Sequence, residues 1–140
     1  MVSGTEDGEI FLWNMDTYHL QFTAKGTFHD NYLLDFKRHI HFISFSTAHN
    51  CKINAMVFDQ EGKSIISCAE DKILNIIDIH TSTQIYRTTI EYEPLTLTWF
   101  KSFLLIGDSN GNINVWNRQG AVFITQIHCH NGTVFYILIH

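Results

Sequence analysis

The chain has 140 residues, of which 45% are hydrophobic, 14% aromatic and 16% charged, and its formal net charge is −5. This composition is typical of a globular protein, and the length allows one domain at most. The acidic balance argues against a general binder of nucleic acid or of anionic membranes, because both need a basic surface.

The sequence has no targeting signal and no disulfide pattern typical of an exported protein. No apolar run reaches the roughly 18 residues of a spanning helix, so we expect no direct membrane insertion. The first seven residues lack the basic start and apolar stretch of a secretory signal. The three cysteines, Cys51, Cys68 and Cys129, are too few and too scattered for a disulfide framework. The sequence therefore predicts a reduced, cytoplasmic setting.

The first predicted element is a β-hairpin over residues 2–14. A short strand leads to Asp7-Gly8, a pair that tolerates the left-handed backbone of a tight turn. The next strand alternates Ile10 and Leu12 and ends on Trp13-Asn14.

The segment after this hairpin is longer than the pattern requires. We place the outer strand of the unit at Ile40–Phe45 and an insertion at about 18–38, so that residues 1–47 form a partial unit. Two explanations stay open for the insertion: a genuine segment that docks on the sheets, or a gene-model error from faulty splicing.

Two further hairpins repeat the first without gaps. The second covers residues 66–78, turns at Asp71-Lys72 and ends on Ile77-Asp78. The third covers residues 105–117, turns at Asn110-Gly111 and ends on Trp116-Asn117. With their flanking strands, these hairpins predict complete units at 48–90 and 91–127. Residues 128–140 are predicted to be the start of a further, truncated unit.

The second and third hairpins start 39 residues apart. A period near 40 with a Trp-Asp-like ending resembles the blade of a WD40 repeat, a sheet of four antiparallel strands. We therefore expect an all-β fold, an incomplete WD40 β-propeller of about three to three and a half four-stranded blades. The remaining blades of a parent propeller would complete the fold. In the 140-residue chain by itself, we expect some strand edges to stay unpaired.

A buried polar network is expected where each hairpin closes. An acidic or amide residue stands six residues before the bulky strand end in all three copies, which favours a structural role. The resemblance to WD40 repeats implies a network of the turn Asp, a His, a strand Ser or Thr and the Trp, and its best-preserved set here is His49, Ser67 and Asp71, with Ile77 in place of Trp. The full set of expected network residues is His49, Ser67, Asp71, Asp7, Trp13, Trp116 and Asn110.

Catalytic and metal motifs are absent from the sequence. The pairs His39/His41 and His128/His130 place two imidazoles on one face of an extended segment, but zinc needs three or four ligands. No G-x-S-x-G, phosphate-loop or dinucleotide-binding motif occurs. We expect no enzyme activity, no metal and no cofactor.

Beyond the repeat consensus, the chain resembles the C-terminal propeller of the BEACH–WD40 family, to which the factor associated with neutral sphingomyelinase activation belongs. The resemblance rests on the start at Val2–Thr5, the non-Trp ending Ile77-Asp78, the pair Glu93-Pro94 and the run His130–Val134. It implies an adaptor that couples a receptor's cytoplasmic region to sphingomyelinase activation. The insertion departs from the family pattern.

The functional expectation is a non-catalytic scaffold that binds other proteins and no nucleic acid. Loop tips can vary without disturbing the sheets, and the acidic balance favours a basic partner face. The alternative is an assembly-factor propeller of the ribosome-biogenesis or apoptosome type. The candidate partner-facing loop residues are Glu6, Glu70, Lys72, Asp108 and Arg118.

Overall fold

The computed structural model describes residues 1–17, 20–24, 48–117 and 122–139. These residues form eleven β-strands in three antiparallel sheets, and no helix occurs among them. The predicted all-β fold is therefore confirmed, and its repeated antiparallel sheets are consistent with an incomplete WD40 propeller.

The first sheet has three strands: β1 (Val2–Gly4), β2 (Ile10–Trp13) and β3 (Leu20–Ala24), in the order β1-β2-β3. The backbone N–H groups of Asp16 and Thr17 both donate to Asn14 Oδ1, at 2.8 and 3.0 Å, and so form the turn after β2. This side-chain turn is the local reason why the chain reverses there.

The strand that pairs with β2 on the side away from β1 is Leu20–Ala24, whereas the predicted outer strand at Ile40–Phe45 lies outside the described residues. The predicted insertion cannot begin at residue 18, since β3 already pairs with β2 from Leu20 onward. The turn that Asn14 forms brings the chain back beside β2 sooner than the length of the following segment suggests. Residues 25–47 lie outside the described part of the chain.

The second and third sheets have four strands each. The second contains β4 (Ile53–Phe58), β5 (Ser64–Ala69), β6 (Ile73–Asp78) and β7 (Gln84–Thr89). The third contains β8 (Pro94–Phe100), β9 (Phe103–Asp108), β10 (Asn112–Asn117) and β11 (Val122–His128). In both, every strand pairs antiparallel with the next one in the chain. The unit limits at 48–90 and 91–127 stay predictions, and β11 runs one residue past the second of them.

Two hydrophobic clusters join the sheets in sequence order. The cluster between the second and third sheets contains Ile66, Cys68, Leu74, Ile90, Leu97, Leu104, Ile106 and Trp116. The other contains Ile10, Leu12, Ala48, Ile65 and Ile77, from the first and second sheets. Hydrogen bonds add to this packing, since Trp99 Nε1 donates to the Phe58 carbonyl at 2.7 Å. The middle sheet is thus covered on both faces, as the blade of a propeller would be.

The segment after β11 docks without forming a strand. Val134 is 4% exposed, and its N–H donates to the Asp108 carbonyl at 2.9 Å. The N–H of Cys129 donates to the Gly111 carbonyl, also at 2.9 Å. The chain thus folds back over the turn of the third hairpin, in the way residues 48–51 lie over the turn of the first.

The hairpin turns have the left-handed backbone that the sequence predicts. The φ angles are 80° at Gly8, 61° at Lys72 and 84° at Gly111. Lys72 bears a Cβ that this conformation disfavours by roughly 1–2 kcal/mol.

We expect Lys72→Asn to stabilise the chain by up to about 1 kcal/mol, because Asn tolerates positive φ better than Lys. Denaturant midpoints would measure the change. Lys52→Asn is the matched control, since Lys52 is also exposed but lies outside the set of positive-φ residues. An equal shift in both variants would contradict this account.

Candidate functional site

The best-formed polar site joins His49, Ser67 and Asp71, as the sequence predicts. His49 Nε2 lies 2.8 Å from Ser67 Oγ, and His49 Nδ1 lies 3.1 Å from Asp71 Oδ1. Asp71 Oδ1 also accepts from the Ile73 N–H at 3.0 Å, so the same carboxylate fixes the turn. The site therefore links the loop before β4 to the hairpin between β5 and β6.

The hydrogen bonds define which ring nitrogen of His49 carries the proton. A carboxylate only accepts, so Nδ1 donates to Asp71; Nε2 of a neutral ring then accepts from the Ser67 hydroxyl. Burial lowers the pKa of His49 below its ordinary value of 6.5 and outweighs the opposite effect of Asp71. The folded chain thus favours the neutral ring.

This shift predicts a pH dependence of stability. The imidazole takes up a proton near pH 6.5 in the unfolded chain but only at lower pH in the folded one. The stabilisation is therefore complete above about pH 6.5 and is lost as the pH falls below it. We expect the unfolding midpoint in urea to decrease from pH 7.5 to pH 5.5. A midpoint that stays constant or increases on acidification would contradict a neutral, buried His49.

The arrangement has the order of a Ser-His-Asp triad but lacks access for a substrate. In hydrolases the nucleophile meets its substrate at an open surface. Here His49 and Ser67 are both 0% exposed. The site also holds its own loop in place, since Asn75 Nδ2 donates to the Ala48 carbonyl at 3.0 Å. Its geometry supports a structural role.

The first hairpin retains only part of this pattern. Trp13 Nε1 donates to Ser3 Oγ at 2.9 Å, which ties the strand end to the partner strand. Asp7, which the sequence assigned to the buried network, is exposed. Thr5 organises the turn instead: its Oγ1 accepts from the Glu9 N–H at 3.1 Å, and its carbonyl accepts from the Gly8 N–H at 3.3 Å.

The third hairpin keeps the Trp but lacks the hydroxyl. Ser3 stands ten residues before Trp13, and Ser67 stands ten before Ile77, but Ile106 stands ten before Trp116. Trp116 Nε1 is accordingly buried without a hydrogen-bond partner. The second unit therefore has the serine without the tryptophan, and the third has the tryptophan without the serine.

Asp108, not Asn110, is the carboxylate of the third unit. Asn110 is exposed, whereas Asp108 is 0% exposed, so both predictions were wrong: Asn110 is no buried network residue and Asp108 no partner-facing residue. Asp108 Oδ1 accepts from the Asn110 and Asn112 N–H groups at 2.9 and 3.0 Å. The acidic residue lies two positions earlier than in the second unit and turns inward at the end of β9.

Side-chain amides complete this buried site. Asn112 Nδ2 and Asn114 Nδ2 donate to Asp108 Oδ2 at 3.1 and 2.9 Å. Asn112 Oδ1 lies 2.9 Å from His128 Nδ1, and Gln126 Nε2 donates to Asn114 Oδ1 at 2.9 Å. The sequence argument missed these four residues, although asparagines two apart on one strand must share a face.

Of the five candidate partner-facing residues, three are exposed on turns, Asp108 is buried and one lies outside the described residues. Glu6, Glu70 and Lys72 are exposed, and they lie on the turns between β1 and β2 and between β5 and β6. Both turns lie at the same end of the sheets, because the Ile53 N–H donates to the Thr5 carbonyl and the Glu70 N–H to the Lys52 carbonyl. Arg118 lies outside the described residues.

The described ranges hold neither a metal-binding cluster nor a membrane-spanning helix. No group of three or more His, Cys, Asp or Glu side chains in them could hold a metal ion. His128 is engaged by Asn112 and Asn131, and the pair His39/His41 lies outside these ranges. Burial raises the pKa of the Cys68 thiol to about 12, which makes it unreactive. Nor do the described ranges hold a helix with the length and apolar character to cross a bilayer.

One comparison with known families bears on this arrangement. Residues 38–78 match the family described as WD40 (WD domain, G-beta repeat). The match ends at Asp78, the residue with which β6 ends, and contains all three members of the His49–Ser67–Asp71 site. Over these residues the chain is therefore similar to a WD40 repeat, and the four-stranded antiparallel sheets are consistent with that similarity.

Proposed function

We propose that the chain is a non-catalytic scaffold that binds other proteins through the exposed turns at one end of its sheets. A WD40 repeat suggests a protein-interaction module. One observation carries the proposal: Asp71 is fixed by His49 and by the Ile73 N–H, while its neighbours Glu70 and Lys72 are exposed. Exposed side chains on a rigid turn are what a recognition surface needs.

The chemistry of this end favours a basic partner segment. Three acidic side chains, Glu6, Asp7 and Glu70, and one basic side chain, Lys72, are exposed on the turns of the first and second sheets. The chain as a whole carries a net charge of −5. Long-range attraction would steer a Lys- or Arg-rich segment toward these turns, with an association rate that falls as salt is added.

Charge reversal tests the proposed surface. We expect Glu6→Lys with Glu70→Lys to remove bound proteins from an affinity purification quantified by mass spectrometry. Asp16→Lys with Glu61→Lys makes the same change of charge on exposed residues of other turns and should leave the bound set unchanged. If the two double variants lose the same proteins, the interaction is not located at the proposed turns.

The resemblance to BEACH–WD40 proteins suggests a finer role. We propose that the chain acts in the cytoplasm as part of a larger scaffold in receptor signalling to sphingomyelinase. The full-length transcript tests this directly, because a BEACH domain encoded upstream would support it. A nuclear-targeting or nucleotide-binding segment in that place would contradict it and favour the assembly-factor alternative.

A further inference from the structure

Two asparagines of the chain are followed directly by glycine, in the pairs Asn110-Gly111 and Asn131-Gly132. Such an asparagine is chemically labile, because glycine has no side chain to shield its backbone nitrogen. That nitrogen attacks the asparagine Cγ and the Cγ–Nδ2 bond breaks, so that the amide nitrogen leaves as ammonia with the proton of the glycine N–H. Water then opens the resulting cyclic imide to aspartate or isoaspartate. The two pairs have different surroundings in the structure.

The first pair is held at both of its peptide groups. The Asn110 N–H donates to Asp108 Oδ1 at 2.9 Å, and the Gly111 N–H donates to the Asp108 carbonyl at 3.4 Å. Gly111 is buried beneath the His130 carbonyl, which is the group that a Cβ at this position would overlap. The Gly111 nitrogen cannot turn toward the Asn110 side chain without breaking this packing, so we expect the fold to protect this pair.

The second pair lies in an exposed turn. Asn131 and Gly132 are both exposed, and the Gly132 N–H donates to the His130 carbonyl at 3.0 Å, within a turn of three residues. Water can replace that hydrogen bond, so the turn opens at little cost. Gly132 lies outside the positive-φ region, and a Cβ there would meet nothing closer than His130 Nδ1, at 3.9 Å. The fold therefore does not require glycine at position 132.

A series of hydrogen bonds places an imidazole nitrogen beside the Asn131 amide. Asn112 Nδ2 donates to the Asp108 carboxylate, so Asn112 Oδ1 is the atom that faces His128 Nδ1, at 2.9 Å, and this nitrogen donates to it. The other ring nitrogen, His128 Nε2, lies 3.2 Å from Asn131 Oδ1. The protonated ring carries an N–H there as well. Such a donor stabilises the negative charge that develops on Oδ1 as the Gly132 nitrogen attacks.

We propose that Asn131 is a site of spontaneous deamidation in the folded chain, promoted by His128, and that the fold protects Asn110 from the same reaction. Water is the only other reactant. The product places a carboxylate beside the His128 imidazole and adds one negative charge to the chain. The proportion of chains with this charge increases with the age of the protein.

Peptide mapping by mass spectrometry tests the proposal, on the 140-residue chain incubated at neutral pH. We expect Asn131 to convert faster than Asn110 by a factor of about ten or more, which corresponds to about 1.4 kcal/mol between the two barriers. In urea, where the fold no longer separates the two pairs, their rates should become similar. Equal rates in the folded chain, or no conversion of Asn131, overturn the proposal. A difference that persists unchanged in urea also overturns it, because it would come from the local sequence.

Variants of the turn separate the two parts of the proposal. Gly132→Val shields the attacking nitrogen at a position with room for a Cβ, and it should abolish conversion of Asn131. His128→Phe should slow that conversion by about tenfold, less than the loss of such a donor costs in a water-excluded active site. His130→Phe removes the neighbouring imidazole and should leave the rate unchanged. If His128→Phe has no effect, or if both ring replacements have the same effect, the assignment of His128 is wrong.

Discussion

Gly111→Ala is expected to destabilise the chain by about 3 kcal/mol or more. The residue has φ of +84°, a conformation that costs an L residue roughly 1–2 kcal/mol. A Cβ there would also overlap the His130 carbonyl oxygen and lie 2.7 Å from that of Gly132. Backbone cannot move aside as a flexible side chain does, so overpacking of about 1–3 kcal/mol adds to the strain.

Gly62→Ala is the matched control for this experiment. Gly62 has φ of +69°, but a Cβ there meets no atom within 4 Å. We expect it to cost only about 1–2 kcal/mol, from backbone strain alone. Urea unfolding of both variants measures the difference. If the two substitutions cost the same, residues 130–132 do not lie over the turn, and the docking of the segment after β11 is wrong.

Asp108→Ala is expected to cost about 3 kcal/mol. The substitution leaves two backbone N–H groups and the amide groups of Asn112 and Asn114 without their acceptor, in a site that excludes water. Each unsatisfied buried group costs about 1–3 kcal/mol before the structure relaxes. Asp108→Asn should restore little, because its NH₂ group would face other donors.

Asp7→Ala provides the comparison for Asp108. Asp7 also stands at the turn of a hairpin, but it is exposed. We expect its replacement to change the free energy of unfolding by less than about 0.5 kcal/mol. A large effect at Asp7 together with a small one at Asp108 would contradict the placement of the carboxylates in both hairpins.

The hairpins could be predicted because local chemistry determines them. Asp7-Gly8, Asp71-Lys72 and Asn110-Gly111 occur where the backbone needs positive φ, and these three pairs do form the turns. The set His49, Ser67 and Asp71 came from the resemblance to a WD40 blade, and these three residues do hydrogen-bond in the structure.

The sequence did not reveal that the buried carboxylate of the third unit stands at a different position from that of the second unit. Equal spacing suggested that Asn110 replaces Asp71, but Asp108 is the residue that turns inward, because Asn112 and Asn114 line the same face and donate to it. Only the three-dimensional pairing of β9 with β10 reveals this. The outer strand at Leu20–Ala24 was not predicted, because the long interval between the first and second hairpins suggested a strand just before the second unit.

We infer that the three hairpins are equivalent parts of successive blades in one stacked array. An experimental structure of the chain tests it most directly, through the superposition of residues 2–13, 66–77 and 105–116. We expect the three backbones to coincide, with left-handed residues at Gly8, Lys72 and Gly111, and Trp99 Nε1 bonded to the Phe58 carbonyl between the second and third sheets. A helix in any of these segments, or second and third sheets that do not touch, would contradict the claim.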